Sequence, residues 1–332
     1  MSRGRLDPVR VRELVHGFAE QRVLVFGDFM LDRYVWGSVD RISPESPVPV
    51  VVVERESTML GGAGNVARNL ASLGARVEVV TVVGDDPAAE ELARLMRGWK
   101  IPTDGFVVDG ARPTTEKTRV IARNQQVVRY DRESDLAIEA AASAQVVDAV
   151  RERAERVEGV IIEDYAKGML AREVLAGAMR SFGEARVRCF VDPKAEPWDV
   201  YRGAELIKPN LREASALARI RVRDDDDLER VGQSVVEATG AEMVAITRGD
   251  EGMDLFGADG SKHHVAAHRR GVSDLAGAGD TTIAVLTLAR LAGASWIEAA
   301  QLAMGAGGFV VSVPGTATLT PDDLIGAMRE ER

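Results

Sequence analysis

Cysteine and long apolar runs are almost missing from this 332-residue sequence. Cys189 is its only cysteine, so no disulfide can form within the chain, a usage typical of reducing compartments. No apolar run reaches the roughly 18 residues that predict a membrane-spanning helix. The N-terminal segment MSRGRLDPVRVRELVHGF lacks the apolar core of a signal peptide. We therefore expect a cytoplasmic protein that does not contact membranes.

Positive charge is also scarce. The formal net charge is -10 and the isoelectric point is near 5.1, which argues against broad contact with nucleic acid. An anionic ligand would therefore need a local cluster of cations. Only six of the 42 basic residues are lysine, and a retained lysine indicates a need for a compact ammonium group, although chance placement is an alternative. Four of the six lie in segments discussed below: Lys117, Lys167, Lys194 and Lys208.

Several common site motifs do not occur. The sequence has no Gly-Lys dipeptide and hence no Walker A loop, and no G-x-G-x-x-G for a dinucleotide or protein-kinase loop. It has neither a G-x-S-x-G elbow nor His and Cys at zinc-binding spacing. A nucleotide, if one binds, must be held by another kind of glycine turn.

Short apolar runs alternate with amphipathic segments along most of the chain, which predicts an α/β domain with a mainly parallel sheet. Ligands of such sheets bind at the carboxyl ends of the strands. Segments 33–55 and 112–133 break the rhythm and resemble antiparallel strands, so we predict a small β lid. Extra edge strands of the main sheet are the alternative. We expect one domain over 1–332.

The stretch DLAGAGDTTIAVLTLARLAGA carries a glycine loop directly into a predicted helix. Loop amides at a helix start can bind an anion such as a transferring phosphoryl group, and a carboxylate there can accept a proton from an attacking hydroxyl. The alternative is that the acid only caps the helix. The candidate residues are Gly277, Ala278, Gly279 and Asp280.

Two further segments suggest binding sites. MLGGAGNVARNLASLGA contains Gly61, Gly62 and Asn65, which allow close backbone approach and polar contact with a ligand; a tight capped loop is the alternative. KPNLRE places Asn210 and Glu213 three residues apart, where they can serve phosphates and a hydrated Mg²⁺. The same spacing fits a capping box equally well.

Four motifs in this order, GGAGN, KPNLRE, ITRG and GAGDT, resemble those of the ribokinase-like (PfkB-type) sugar kinases over nearly the whole chain. The resemblance implies a three-layer α/β sandwich with a β lid. It also implies ATP-dependent phosphorylation of a sugar hydroxyl with Mg²⁺ and, in many members, K⁺.

The resemblance assigns roles to individual residues. Asp280 would be the base, and the backbone of Gly277, Ala278 and Gly279 would form the anion hole. Met304 stands where the family usually has an asparagine of the nucleotide pocket. The remaining implied positions are Lys194 and Lys208 at the transferring phosphates, Asn210 and Glu213 at phosphates and Mg²⁺, Thr247, Gly249 and Gly307 at the nucleotide, and Asp274 at a monovalent cation.

Other segments, among them EDYAKG, VDPK and PGTAT, resemble the subgroup that phosphorylates C1 of D-glycero-D-manno-heptose 7-phosphate in nucleotide-activated heptose and lipopolysaccharide synthesis. Many such kinases are fused to an adenylyltransferase, and from the length of 332 residues we expect the kinase alone. Asp32, Gly61, Gly62, Asn65 and Asp164 would bind the sugar, and Arg41, Lys117, Arg119 and Lys167 would bind its phosphate.

Alternatives remain open at this point. The kinase could act on another sugar or sugar phosphate, or the protein could be a non-catalytic regulator that binds a sugar phosphate. The β-branched segment 48–54 predicts an edge at which the lid pairs with a second copy in a homodimer.

Overall fold

The computed structural model describes residues 6–123, 125–194, 198–267, 277–313 and 317–329. Their strands form two separate sheets. In chain order the strands are β1 (Arg22–Gly27), β2 (Phe29–Ile42), β3 (Pro49–Gly62), β4 (Arg76–Val83), β5 (Phe106–Val108), β6 (Glu116–Ala122), β7 (Gln125–Arg132), β8 (Gly159–Glu163), β9 (Arg188–Asp192), β10 (Leu206–Ile207), β11 (Met243–Thr247), β12 (Met253–Gly257) and β13 (Lys262–Val265).

The larger sheet has the order β13-β12-β11-β10-β9-β8-β1-β4-β5. Its neighbours pair in parallel, except that β12 runs antiparallel to both β11 and β13. Val23, Leu24, Val25 and Phe26 of β1 are fully buried, as expected of a central strand covered on both faces. The predicted mainly parallel sheet is confirmed.

Helices cover both faces of this sheet and leave an apolar core on each side. Residues of α1, α2, α8, α9 and α10 pack in one core, and residues of α4, α5 and α7 pack in the other. None of the described helices is long and apolar enough to cross a bilayer. The helices are α1 (Pro8–His16), α2 (Ala63–Ser72), α3 (Pro87–Gly98), α4 (Ala140–Ala154), α5 (Arg172–Ala185), α6 (Leu211–Ala218), α7 (Asp225–Thr239), α8 (Ala278–Leu291), α9 (Trp296–Val311) and α10 (Pro321–Arg329).

The smaller sheet has the order β3-β2-β6-β7 and forms the predicted lid. It is separate from the main sheet, so the alternative of extra edge strands is wrong. Within each hairpin the strands are antiparallel, but β2 and β6 pair in parallel. The expectation of purely antiparallel strands was therefore wrong for the pairing of β2 with β6. The reason is geometric: both strands leave the main domain in the same direction, with Leu31 N donating to Thr115 O at 2.9 Å where they start.

Candidate active site

Asp280 lies in the first turn of α8, after Gly277 in a left-handed conformation (φ 81°). The left-handed conformation favours glycine, because glycine has no Cβ to clash with the backbone. The N-terminal cap makes no side-chain hydrogen bond, and the Asp280 carboxylate turns towards other elements, so helix capping alone does not explain it. The first amides of α8 have no partner within the helix, which makes this turn suited to an anion.

The Asp280 carboxylate is held by two donors from distant parts of the chain. Asn65 Nδ2 donates to Oδ2 at 2.6 Å and Tyr165 Oη donates to Oδ1 at 3.0 Å. Burial raises the pKa of Asp280 above its usual 3.8, against the two hydrogen bonds and the nearby Lys208 ammonium, which lower it. Each oxygen keeps acceptor capacity, so the group can take a proton from a third donor.

Asn65 is oriented by its own helix. Arg68 Nη2 donates to Asn65 Oδ1 at 2.6 Å, which fixes the amide so that its nitrogen faces Asp280. Both Asn65 and Arg68 are buried, and burial lowers the pKa of Arg68. The amide is thus a positioned donor rather than a solvent-exposed cap.

The glycines before Asn65 allow the lid to approach. A Cβ on Gly61 would lie 2.3 Å from Asp32 Oδ2, and Gly62 (φ 54°) would place one 2.6 Å from Asp28 O. Asp32 in turn pairs with Arg119 Nη1 at 2.5 Å. The structure therefore brings Asp32, Gly61, Gly62 and Asn65 together, as the sequence predicted for one site.

Behind the first turn of α8 lies a buried ion pair. Lys208 Nζ contacts Asp192 Oδ2 at 2.6 Å and lies 3.9 Å from where a Cβ on Gly279 would be. Burial lowers the pKa of Lys208, but Asp192 and Glu163 outweigh this and raise it. The ammonium therefore stays charged beside the helix start.

Two carboxyl groups beside this lysine have raised pKa values. Burial raises the pKa of Asp192 to about 6 even though Lys208 opposes the shift. Burial and the charges of Asp192 and Asp280 raise the pKa of Glu163 well above its usual value. A single buried cation thus faces more carboxyl groups than it can neutralise, which disfavours their charged forms.

The loop after β8 is fixed by a second buried acid. Asp28 Oδ2 accepts hydrogen bonds from Tyr165 N at 2.9 Å and Lys167 N at 3.1 Å, while burial and the charge of Asp164 raise the Asp28 pKa to about 6. Asp164 accepts hydrogen bonds from Ala166 N at 2.7 Å and Tyr201 Oη at 3.1 Å. Asp164 is thus held by two protein donors, as Asp280 is, and its contact with the sugar stays a prediction.

The predicted nucleotide side starts at α6. Asn210 caps this helix, and Glu213 completes a capping box, which was the alternative reading of KPNLRE. The second Glu213 oxygen contacts Lys194 Nζ at 3.0 Å. The described residues contain no group of three or more acidic, His or Cys side chains that could hold a metal ion. Mg²⁺ would fit here only as it usually does, through a carboxylate, water and phosphate oxygens.

Other predicted nucleotide residues are spread over three elements. Thr247 ends β11 and bridges to Asn210, and Gly249 (φ 61°) has open space where a Cβ would point. Gly307 lies buried in α9, where a Cβ would lie 3.5 Å from Thr282 Oγ1, so its position also serves helix packing. Met304 is buried one turn earlier. Asp274, predicted at a monovalent cation, lies outside the described residues.

Predicted cations of the lid separate into two groups. Lys117 and Lys167 meet at Glu133, with Nζ to Oε distances of 3.1 and 2.9 Å. Arg41 is exposed at the far end of β2, nine residues beyond Asp32 and so roughly 25–30 Å away. Placing Arg41 in the same pocket was wrong, because the long lid strands carry it away from the base.

Several residues of this region, among them Tyr165, Asp192, Arg68 and Glu133, were not among the predicted site residues. Tyr165 and Asp192 lie inside EDYAKG and VDPK, so their motifs were a usable signal. Arg68 follows Asn65 by one helical turn, a spacing that predicts contact. Glu133 had no signal in the sequence, because its two partners come from two separate segments.

Comparison with known proteins agrees with this arrangement. The family model of the pfkB family carbohydrate kinases matches residues 20–323. The Bifunctional protein HldE of Geobacter metallireducens is 43% identical over 305 residues, which are 92% of this chain and 62% of that protein. The protein of the same name from Desulfatibacillum aliphaticivorans is 43% identical over 317 residues, 95% of this chain and 64% of that protein. The chain thus spans a little over three fifths of the curated relatives it matches.

Solved structures share the fold at low sequence identity. Ribokinase of Arabidopsis thaliana, complexed with ribose and ATP, has a TM-score of 0.73 at 19% identity and covers 93% of this chain and 99% of its own. Phosphofructokinase-2 of Escherichia coli, in complex with potassium, has a TM-score of 0.76 at 22% identity, with coverage of 93% and 98%. The fold is therefore that of the ribokinase-like α/β proteins with a β lid. The chain belongs to the pfkB family of carbohydrate kinases, and its class is that of sugar kinases, phosphotransferases with an alcohol acceptor.

Proposed function

We propose that the protein is an ATP-dependent kinase for C1 of D-glycero-D-manno-heptose 7-phosphate, with the 1,7-bisphosphate as product. The observation that carries the proposal is the contact of Asp280 with Asn65 and Tyr165 at the start of α8. It joins a base, a glycine loop and the predicted sugar side in one place. The choice of heptose is supported by the motif resemblance and by the identity to HldE proteins.

In the proposed reaction Asp280 accepts the proton of the C1 hydroxyl as that oxygen attacks the γ-phosphorus of ATP. The new O1–Pγ bond forms while the bond from Pγ to the β–γ bridging oxygen breaks, and ADP leaves with that electron pair. The first amides of α8 and the Lys208 ammonium stabilise the charge on the transferring group. Mg²⁺, when bound with ATP near Glu213, Asn210 and Lys194, would neutralise phosphate charge. ATP use agrees with the cytoplasmic location expected from the composition.

The phosphate already present on the sugar needs a second cationic site. Lys117 and Lys167 supply one, since both ammonium groups meet at Glu133 and are only partly exposed. Lys117 pairs in strand register with Asp32, so the two side chains lie on one face of the lid, about 5 Å apart at their backbones. Asp32 would bind sugar hydroxyls beside that phosphate site.

The test is phosphoryl transfer from ATP to a panel of acceptors. Heptose 7-phosphate, fructose 6-phosphate, ribose and fructose would be compared by kcat/KM, with NMR of the product to identify the phosphorylated carbon and its anomer. We expect the heptose phosphate to be preferred by at least about 100-fold over the unphosphorylated sugars. Preference for fructose 6-phosphate would assign another sugar phosphate, and no transfer to any acceptor would favour a non-catalytic regulator.

We further propose that residues 1–332 act as one kinase domain and form a homodimer through the lid. The lid exposes apolar side chains on its hairpins, which a second copy could cover: Ile42, Val48, Val52, Val53, Val127, Val128 and Tyr130. Sedimentation with and without charged substitutions at Val52 and Val53 would test this. A monomeric wild-type protein would contradict it.

A further inference from the structure

Glu133 lies between two lysines of the proposed sugar-phosphate site. Its Oε2 is 3.1 Å from Lys117 Nζ on β6, and its Oε1 is 2.9 Å from Lys167 Nζ in the loop after β8. One carboxylate oxygen therefore faces each ammonium group. This is the arrangement that a phosphate group between the same two lysines would also adopt.

The backbone on both sides of this bridge is fixed. Lys117 stands in register with Asp131 in the β6–β7 hairpin. Lys167 N is bound to Asp28, and the Arg112 guanidinium donates to the carbonyls of Lys167 and Ser134. The lysine backbones are therefore held in place from either side, so the bridge can rearrange only through its side chains.

The local charges favour exchange of this carboxylate for a stronger anion. Arg129 Nε binds Asp131 at 3.0 Å and Lys117 is 3.4 Å from the same carboxyl group. Three cations thus face two carboxylates. Burial raises the pKa of Glu133, but hydrogen bonds from Lys167 and Lys117 outweigh it and lower the pKa overall, so the group is ionised at neutral pH.

We propose that Glu133 determines specificity as a displaceable internal anion, which fills the site between Lys117 and Lys167 until the phosphate of a bound sugar takes its place. This rests on the proposed function, since it requires a phosphorylated sugar. A phosphate tethered to a sugar that is already bound has an effective concentration of the order of millimolar or more. Free inorganic phosphate lacks that advantage and must compete with Glu133 directly.

Displacement also explains a preference for a sugar phosphate over small free anions, which two lysines without Glu133 would not give. A phosphate dianion carries more charge and more acceptor oxygens than a carboxylate, so it can replace Glu133. Small free anions at cellular concentrations meet a site that is already neutralised. The lysines are thereby kept available for the sugar phosphate.

The test compares wild type with Glu133→Gln by titration calorimetry with inorganic phosphate. A non-hydrolysable ATP analogue at saturation fills the nucleotide side, so phosphate is measured at the lid. We expect Glu133→Gln to bind phosphate roughly five- to tenfold more tightly, because the competing carboxylate is gone. Adding Lys117→Ala to Glu133→Gln should abolish the gain. Glu229→Gln, which removes the same charge from an exposed pair with Lys262, is the matched control and should leave phosphate binding unchanged.

Kinetics supply a second readout. With a sugar phosphate as acceptor, Glu133→Gln should lower KM a few-fold and make inorganic phosphate a stronger competitive inhibitor, with kcat retained. If phosphate binds Glu133→Gln no better than wild type, or if KM rises as is expected for Lys117→Ala, then Glu133 is a structural clamp and the proposal is wrong. Calorimetry with phosphate needs no sugar, so this test remains valid even if heptose 7-phosphate proves not to be the substrate.

Discussion

The molecule holds two groups of opposite charges that differ mainly in their access to water. Lys208, Asp192 and Glu163 lie behind α8, where Lys208 and Glu163 are almost fully buried and the Asp192 side chain is 16% exposed. Burial shifts the pKa of each carboxyl group upwards. Lys117, Lys167 and Glu133 lie on the lid side, and their side chains are 16–29% exposed. Charges at the buried pair are expensive to separate, whereas those at the lid can exchange partners. The buried group suits a fixed role in transfer, and the lid group suits reversible binding of an anion.

The largest effect is expected at the base itself. Asp280→Asn should lower kcat by about 10³-fold or more, since the amide cannot accept the hydroxyl proton. ATP binding, measured by calorimetry, should be nearly unchanged, because the loop amides and Lys208 remain. Turnover close to that of wild type would exclude Asp280 as the base.

Lys208→Met probes the buried side of the comparison. It leaves Asp192 and Glu163 buried without their cation and should cost about 3 kcal/mol of unfolding free energy near pH 8. Unpaired carboxyl groups have a raised pKa in the folded state. Their contribution to the free energy of unfolding is therefore present when they are protonated and is lost as the pH rises through that pKa. The loss relative to wild type should therefore shrink towards pH 6, as urea unfolding at both pH values would measure. An equal loss at both would contradict the role of burial.

Lys117→Ala probes the lid side. Removing this partly exposed ion pair should change the free energy of unfolding by less than about 1 kcal/mol. The KM of the sugar phosphate should rise roughly tenfold with kcat retained, because a charge-assisted hydrogen bond to phosphate is lost. Lys262→Ala, on an exposed pair at the main sheet, is the control. A large loss of stability in Lys117→Ala would mean that breaking the lid ion pair costs as much as breaking the buried one, which would contradict the comparison.

Tyr165→Phe should have the smallest effect. It removes one of the two donors whose hydrogen bonds lower the Asp280 pKa, and so raises that pKa further. The base works only when ionised, so kcat/KM falls as pH drops through this pKa, and the acid limb should move to higher pH. Tyr201→Phe removes a buried hydroxyl that donates to Asp164 and should leave the limb in place. An unmoved limb in Tyr165→Phe would exclude its contact with the base.

Local pattern was enough to predict much of the fold. The alternation of apolar runs and amphipathic helices predicted the parallel sheet, and Gly277 and Asp280 were placed correctly at a helix start. The parallel pairing of β2 with β6 was missed, because it depends on where two distant hairpins leave the main domain. Arg41 was misplaced for a related reason: a motif does not tell how far a strand extends from the domain.

The sequence by itself determined the family, the order of the motifs and the kinds of chemical group available, since these depend on residue type and short spacing. Tertiary structure decided which groups meet. Asn65 and Asp280 are 215 residues apart and hydrogen-bonded at 2.6 Å, and Glu133 joins lysines from two other segments. It also decided which carboxyl groups have raised pKa values, because the pKa depends on burial and on neighbouring charges that only the folded chain brings together.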